Sequence, residues 1–91
     1  MKIPKQIKAF GYKYPIKRVK KIKGGFTAEI NHKTQVIQLT NYGTKERQEE
    51  ALLHEILHLI SCEQGLKLKE KVVERISQGL YHIFQDNNFF K

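Results

Sequence analysis

The sequence TKERQEEALLHEILHLISCEQG, residues 44–65, carries the longest helical pattern in the chain. Thr44 or Asn41 can cap the start of this helix, where several glutamates also interact favourably with the helix dipole. Gly65 is suited to end the helix, because glycine readily adopts the left-handed conformation of a C-terminal cap. The apolar residues in between cover nearly the whole circumference, so we expect a centrally buried helix over residues 45–63.

A second helix is predicted over residues 69–86, where apolar residues recur at helical spacing. This apolar arc consists of Val72, Val73, Ile76, Leu80, Ile83 and Phe84. The opposite side of the helix is a polar stripe of Glu70, Glu74, Ser77, Gln78 and Tyr81. Such a stripe is typical of a surface that faces a cleft, and it is equally typical of a face in contact with solvent.

Strand patterns precede the two helices. Residues 12–16 alternate between apolar and polar side chains, and the alternation ends at residues 17–18, where a bulge or loop is expected. Residues 26–30 and 35–40 flank a polar turn and predict a β-hairpin. The sequence therefore predicts an α+β fold in a single domain over residues 1–91, with a small antiparallel or mixed sheet of three or four strands followed by two helices.

The composition is that of an ordinary globular domain, with 40% hydrophobic and 29% charged residues. No apolar run approaches the roughly 20 residues needed to cross a bilayer, so no membrane association is expected. Lys2 and Lys5 are not followed by the apolar core of a signal peptide. Cys62 is the only cysteine, which excludes an intramolecular disulfide and favours a cytoplasmic location.

The net charge of +8 is concentrated in the N-terminal quarter of the chain. Residues 1–23 carry nine of the 17 basic side chains and no acidic side chain. Such a block can attract nucleic acid or acidic peptides, or it can form a solvated lysine-rich strand that resists edge-to-edge aggregation. Because no nucleic-acid recognition motif accompanies the charge, the sequence favours the solvated strand.

The segment His54-Glu55-Ile56-Leu57-His58 has the residue types and the spacing of a catalytic zinc site. Residues four apart on a helix project from the same face, so both imidazoles can bind one Zn²⁺ ion. Glu55 lies about a hundred degrees around the helix from His54, within reach of a water at the metal. Zinc lowers the pKa of such a water, and Glu55 can then act as a general base and acid.

The setting of these polar residues supports the metal interpretation, because they interrupt an otherwise apolar run. Burying them without partners costs a few kcal/mol, about 2 or more for each group. A third protein ligand is expected from elsewhere, and the second helix offers Glu70 and Glu74. Spacing alone does not separate these two glutamates. Cys62, four residues beyond His58, is better explained by packing than as a thiolate ligand.

The stretch from His54 to Ile60, followed by residues 74–81, resembles small phage- and prophage-encoded zinc peptidases of the gluzincin kind, which are related to the ImmA/IrrE group. The resemblance implies a minimal zincin-like domain in which Glu74 is the third zinc ligand. Ser77 and Gln78 stand where alanine and asparagine are common in those proteins. These two departures concern the side chains around the metal-binding histidines.

The resemblance also implies a function, that of a zinc-dependent metallopeptidase that cleaves a peptide or protein substrate. It further implies that the strand over residues 35–40 borders the cleft and pairs with an extended peptide. Phe89 and Phe90 are a candidate plug that would make the protein latent. An alternative function is that of a catalytically silent, zinc-stabilised protein whose basic N-terminal segment binds a partner or nucleic acid. The oligomeric state does not follow from the sequence.

Overall fold

The computed structural model describes residues 3–87 of the chain. Phe89 and Phe90, the predicted plug, lie outside the described residues. The strands are β1 (Gln6–Ala9), β2 (Tyr12–Val19), β3 (Ala28–Asn31) and β4 (Val36–Thr40), and the helices are α1 (Lys45–Gln64) and α2 (Glu70–Asn87). A four-stranded sheet is thus followed by two helices, which confirms the predicted α+β fold. Both helices begin and end within one residue of the predicted bounds.

The sheet is mixed, with the strand order β1-β2-β4-β3. β1 and β2 are antiparallel, β2 and β4 are parallel, and β3 and β4 are antiparallel. Among the described residues, β3 therefore forms one edge of the sheet and β4 lies inside it. The prediction that the strand over residues 35–40 borders the cleft is wrong, because β4 has a strand on each side and β3 takes the edge position.

β2 continues through residues 17–18, where the sequence predicted a bulge or loop. Its second half, from Ile16 to Val19, pairs in register with residues 37–40 of β4. The ladder hydrogen bonds formed with β4 keep this segment extended even though its side chains do not alternate cleanly. A strand whose paired residues lie 21 positions further along the chain thus overrides the local pattern.

α1 packs across one face of the sheet and forms the centre of the molecule. The most buried cluster joins Tyr14 of β2 and Ile37 of β4 to Leu52 and Leu59 of α1, each at most 2% exposed. Burying large side chains to this extent contributes about 1.5–3 kcal/mol for each. The predicted central burial of α1 is therefore confirmed, and this packing fixes the helix that carries the histidines.

The two ends of α1 have the predicted caps. The side chain of Thr44 accepts a hydrogen bond from the backbone N–H of Arg47 at 3.1 Å. At the other end Gly65 has a φ of 64°, and its N–H and that of Leu66 donate to the carbonyl groups of the last turn. These caps define where α1 ends and where the connection to α2 begins.

α2 contacts α1 through one edge of its apolar arc and through the polar stripe. Its buried residues are Val73, Ser77 and Tyr81. In contrast, Val72 and Ile76 are 41% and 42% exposed. The polar stripe thus lies against α1 and the cleft, and much of the apolar arc faces outwards. This orientation brings the glutamates of α2 towards α1.

Candidate metal centre

An open cleft of about 950 Å³ lies between β3, α1 and α2. The residues that line it include Ala28 on β3, His54, Glu55 and His58 on α1, and Glu70 and Glu74 on α2. Every residue that the sequence predicted for the site therefore lines one cavity. The predicted polar stripe also contributes, because Ser77 and Gln78 line the same cleft.

The two histidines converge from successive turns of α1. Their Nε2 atoms are 3.2 Å apart, and their rings meet at an interplanar angle of 61°. The side chains are 21% and 25% exposed, so both reach the cleft from a mostly buried base. Two nitrogen ligands of one tetrahedral zinc ion, each about 2.0–2.1 Å from it, lie roughly 3.4 Å apart. The spacing of His54 and His58 therefore fits a shared metal ion.

Glu70 supplies a carboxylate to both histidines from the first residue of α2. Its Oε1 atom lies 2.6 Å from Nε2 of His54, and its Oε2 atom lies 2.8 Å from Nε2 of His58. One ligand atom from each of the three residues falls within 4.8 Å of the others. Among the described residues, His54, His58 and Glu70 form a group that could hold a metal ion.

The donor chemistry of this group also fits a cation. Each Nε2 atom carries at most one proton, so two protons can satisfy the contacts with Glu70 but not the contact between the imidazoles. A cation held by the lone pairs of all three side chains would remove this conflict, with the carboxylate oxygens moved from 2.6 and 2.8 Å to roughly the 3.3 Å that separates two ligand atoms of one zinc ion. Nitrogen and carboxylate donors of this kind suit zinc.

The connection between the helices positions Glu70. Ser61, near the end of α1, is 7% exposed, and its Oγ accepts a hydrogen bond from the backbone N–H of Leu68 at 3.0 Å. The carbonyl of Ser61 also accepts from the N–H of Leu66 at 2.9 Å. These two bonds anchor the turn immediately before Glu70 to the last turns of α1. The position of the carboxylate over the histidines follows from this anchored turn.

Glu55 lies beside the metal-binding group and faces β3. The residue is 8% exposed, and its carboxylate receives a hydrogen bond from the backbone of Ile30. Burial raises the pKa of the Glu55 carboxyl from 4.5 to about 7, against the opposing effects of His54 and of the Ile30 hydrogen bond. A carboxyl with a pKa near neutrality can both accept and release a proton at physiological pH.

Glu74 lies one turn beyond Glu70 and lines the cleft. Its backbone carbonyl accepts a hydrogen bond from Oγ of Ser77 at 2.9 Å. Its carboxylate does not belong to the group of converging atoms, which contains Glu70 instead. The resemblance selected Glu74 and spacing left Glu70 open, so the assignment of the third ligand stays a prediction.

Other candidate residues lie apart from this group in the described part of the chain. Cys62 is exposed and free, and it does not line the cleft. His32 and His82 are exposed. Tyr42, just before α1, is 79% exposed and also does not line the cleft.

The surroundings of the site add a buried hydrogen-bond chain between the helices. The Tyr81 hydroxyl donates to Oε1 of Glu49 at 3.0 Å and accepts from Nε2 of Gln85 at 2.6 Å. Burial and the bond to Glu49 raise the pKa of Tyr81 to about 12. This chain links the first half of α1 to the second half of α2.

No known protein family, curated protein or solved structure matches this chain. No helix within residues 3–87 is both long and apolar enough to cross a membrane.

Proposed function

We propose that this protein is a zinc-dependent metallopeptidase. The observation that supports the proposal most directly is the convergence of His54, His58 and Glu70 at the bottom of a cleft that also contains the buried carboxyl of Glu55. The three converging groups provide the ligands for an ion, and Glu55 provides an acid and base that is not one of them. The resemblance of the two helices to small phage and prophage zinc peptidases supports the same function.

His54 and His58 would hold the ion together with a glutamate of α2. Glu70 is supported by its contacts with both imidazoles. Glu74 is supported by the resemblance and by its place in the lining of the cleft. When bound, the ion would supply an acidified water and would polarise the scissile carbonyl group.

Glu55 would move the proton during peptide hydrolysis. Its carboxylate takes a proton from the attacking water and delivers a proton to the nitrogen of the departing amine. Burial against β3 keeps this carboxyl in a fixed place, and its raised pKa suits a group that must accept and release a proton in one cycle. Glu55 is therefore the residue whose substitution should separate catalysis from metal binding.

The substrate would be an extended peptide that lies along β3. In the described part of the chain this strand pairs only with β4, so its other edge can accept a strand except at Ile30, whose backbone already bonds the Glu55 carboxyl. Thr27, Ala28 and Glu29 line the cleft at this edge. A peptide paired there would pass over the histidines with its backbone held by main-chain hydrogen bonds.

The first experiment measures zinc content and cleavage of a peptide library with full-length protein purified without chelators or a histidine tag. We expect about one zinc per chain in wild type, a value set by the single tetrahedral site. Glu55→Gln should keep the zinc and lower cleavage by about a thousandfold or more. Glu63→Gln is a matched control, because it makes the same change on α1 outside the cleft.

The outcomes separate the proposed functions. Zinc in wild type with no cleavage of any peptide would support the zinc-stabilised, catalytically silent alternative, in which the ion joins α1 to α2. Cleavage by Glu55→Gln at the wild-type rate would rule out the role of Glu55. Absence of zinc from the wild-type protein would rule out the metallopeptidase function. The basic N-terminal segment would then be the next feature to test.

A further inference from the structure

The outward face of α2 carries an apolar stripe that the fold leaves exposed. It consists of Val72, Ile76, Gly79 and Ile83, here called the outer stripe, and its members follow one another at spacings of four, three and four. Such residues share one face of a helix. Val72, Ile76 and Ile83 are 41%, 42% and 49% exposed. The residues that contact the rest of the protein, including Ser77 and Tyr81, lie on the other side of α2.

Gly79 lies at the centre of this stripe, and no contact or backbone conformation in the described part of the chain requires a glycine there. It is in the middle of a helix and is not among the glycines with positive φ. A Cβ atom placed on it would meet nothing within 4 Å. Glycine destabilises a helix relative to alanine, so its presence here needs another explanation. A missing side chain at the centre of an apolar stripe lets a second helix approach closely.

We propose that the outer stripe binds the outer stripe of a second copy of this chain, with the two α2 helices antiparallel and crossing at Gly79. The charges beside the stripe select this occupant and this orientation. Lys71 and Arg75 lie on one flank in the first half of α2, and Asp86 lies on the same flank in the second half. A two-fold axis at Gly79 places Lys71 of one copy opposite Asp86 of the other.

A parallel arrangement does not form these contacts. Its two-fold axis runs along the helices and puts the flank with Lys71 and Asp86 on opposite sides of the interface in the two copies, so the two charges do not meet. The antiparallel pair instead forms two symmetric Lys71–Asp86 contacts. The same face of each copy forms the interface, as in an isologous two-fold dimer.

The dimer is expected to be reversible, and it leaves the cleft open. The stripe extends over 12 residues of helix, about 18 Å, which corresponds to a small interface of the transient class. Glu70 and Ser77 line the cleft from the side of α2 that faces α1, away from the outer stripe. Self-association is therefore separate from the proposed peptidase activity, and the two proposals can succeed or fail independently.

The test is sedimentation equilibrium of the full chain over a range of concentrations at physiological ionic strength, where the general repulsion between two copies of net charge +8 is largely screened. Wild type should show a concentration-dependent monomer–dimer equilibrium. Lys71→Glu and Asp86→Lys should each raise the dissociation constant about tenfold, because each change occurs twice in the dimer and turns attraction into repulsion. The double variant Lys71→Glu/Asp86→Lys should return to within about threefold of wild type, because opposite charges face each other again.

Restoration by the double variant is specific to an intermolecular antiparallel contact. Residues 71 and 86 are 15 positions apart on one helix, about 22 Å, so they cannot compensate for each other within a chain. Lys33→Glu, on the exposed turn between β3 and β4, is the matched charge control and should leave dimerisation unchanged. Ile76→Asp should give a monomer, and circular dichroism should show that it remains folded, since the residue is half exposed.

Three results would overturn the proposal. A wild-type chain that stays monomeric at all concentrations would assign the stripe to a different partner. A dimer that neither Ile76→Asp nor the single charge reversals weaken would place the interface elsewhere. Single reversals that weaken the dimer without restoration by the double variant would exclude the antiparallel orientation.

Discussion

The two helices depart from the usual pattern of a surface helix in opposite ways. α1 has polar residues on its buried side, with Glu55 only 8% exposed and the imidazoles of His54 and His58 mostly buried. α2 has apolar residues on its exposed side, with Ile83 49% exposed. Each arrangement costs free energy in an isolated chain, one by desolvation of polar groups and the other by exposure of apolar surface.

The difference indicates what each helix offers to another component. A cation would stabilise the polar groups that converge on the buried side of α1, and a second surface would stabilise the apolar groups on the outer side of α2. Neither departure is needed to build the sheet or the core around Tyr14 and Leu59. The predictions below test whether a metal ion joins the polar groups of α1 to the polar groups of α2 that face them.

The largest effect is expected on metal removal. A chelator should lower the free energy of unfolding of zinc-loaded wild type by about 4 kcal/mol when zinc is present at roughly a thousand times its dissociation constant. Urea denaturation with and without zinc measures this difference. The variant His54→Ala/His58→Ala should be insensitive to zinc. Equal stability of wild type with and without zinc would contradict a metal link between α1 and α2.

The next prediction compares the two glutamates of α2 that line the cleft. Loss of a ligand carboxylate should weaken zinc binding by more than about a hundredfold, ~2.7 kcal/mol, whereas loss of a carboxylate that only supports a ligand should cost at most about tenfold to a hundredfold. Competition with a coloured chelator measures the affinities of Glu70→Gln and Glu74→Gln. From the contacts with the imidazoles we expect the larger loss in Glu70→Gln. A larger loss in Glu74→Gln would assign the ligand as the resemblance does.

A third prediction concerns the hydrogen-bond chain through Tyr81. Tyr81→Phe should destabilise the protein by about 2 kcal/mol near neutral pH, because the buried carboxyl group of Glu49 loses this hydrogen-bond donor. In wild type the pKa of Tyr81 is about 12 in the folded state and near 10 in the unfolded state, so folding favours the protonated hydroxyl. Its contribution is fully present below pH 10 and is lost as the pH rises from 10 to 12.

The measurement for Tyr81 is the difference in free energy of unfolding between wild type and Tyr81→Phe across that pH range. Using the difference removes the titration of the many lysines, which both proteins share. The advantage of wild type should shrink above pH 10. A difference that stays constant up to pH 12 would show that Tyr81 keeps its ordinary pKa in the fold.

The smallest effect is expected at the turn between the helices. Ser61→Ala removes the acceptor for the N–H of Leu68 and should cost about 1 kcal/mol of stability. If this turn positions Glu70, zinc affinity should fall a few-fold as well, measured by the same chelator competition. Ser61→Thr, which keeps a hydroxyl, is the matched control. Unchanged zinc affinity in Ser61→Ala would separate the turn from the metal site.

Much of this fold could be predicted from short stretches of the sequence. The bounds of α1 followed from Thr44, Gly65 and the apolar residues between them, and the hairpin followed from alternation around a polar turn. The position of β4 could not be read in this way. A hairpin specifies that β3 and β4 pair, but not which of them pairs with β2, because that choice depends on contacts between segments distant in sequence.

The candidate site divides in the same manner. His54, Glu55 and His58 were identified from spacing, because a helix places residues four apart on one face regardless of the rest of the fold. Glu70 could be named only as one of two glutamates. Its place over the imidazoles depends on the turn anchored by Ser61 and on the rotation of α2 against α1. The periodicity of the sequence does not predict that rotation.

The sequence by itself determined the two helices, the two imidazoles with their adjacent carboxyl, and the basic N-terminal segment, since each depends on neighbours within a few positions. Tertiary structure alone decided that β3 forms the edge of the sheet, that Glu70 meets the histidines, and that the outer stripe of α2 faces outwards. Amphipathic spacing fixes which residues share a face of a helix. Which of the faces is buried depends on the surface that another element presents to the helix.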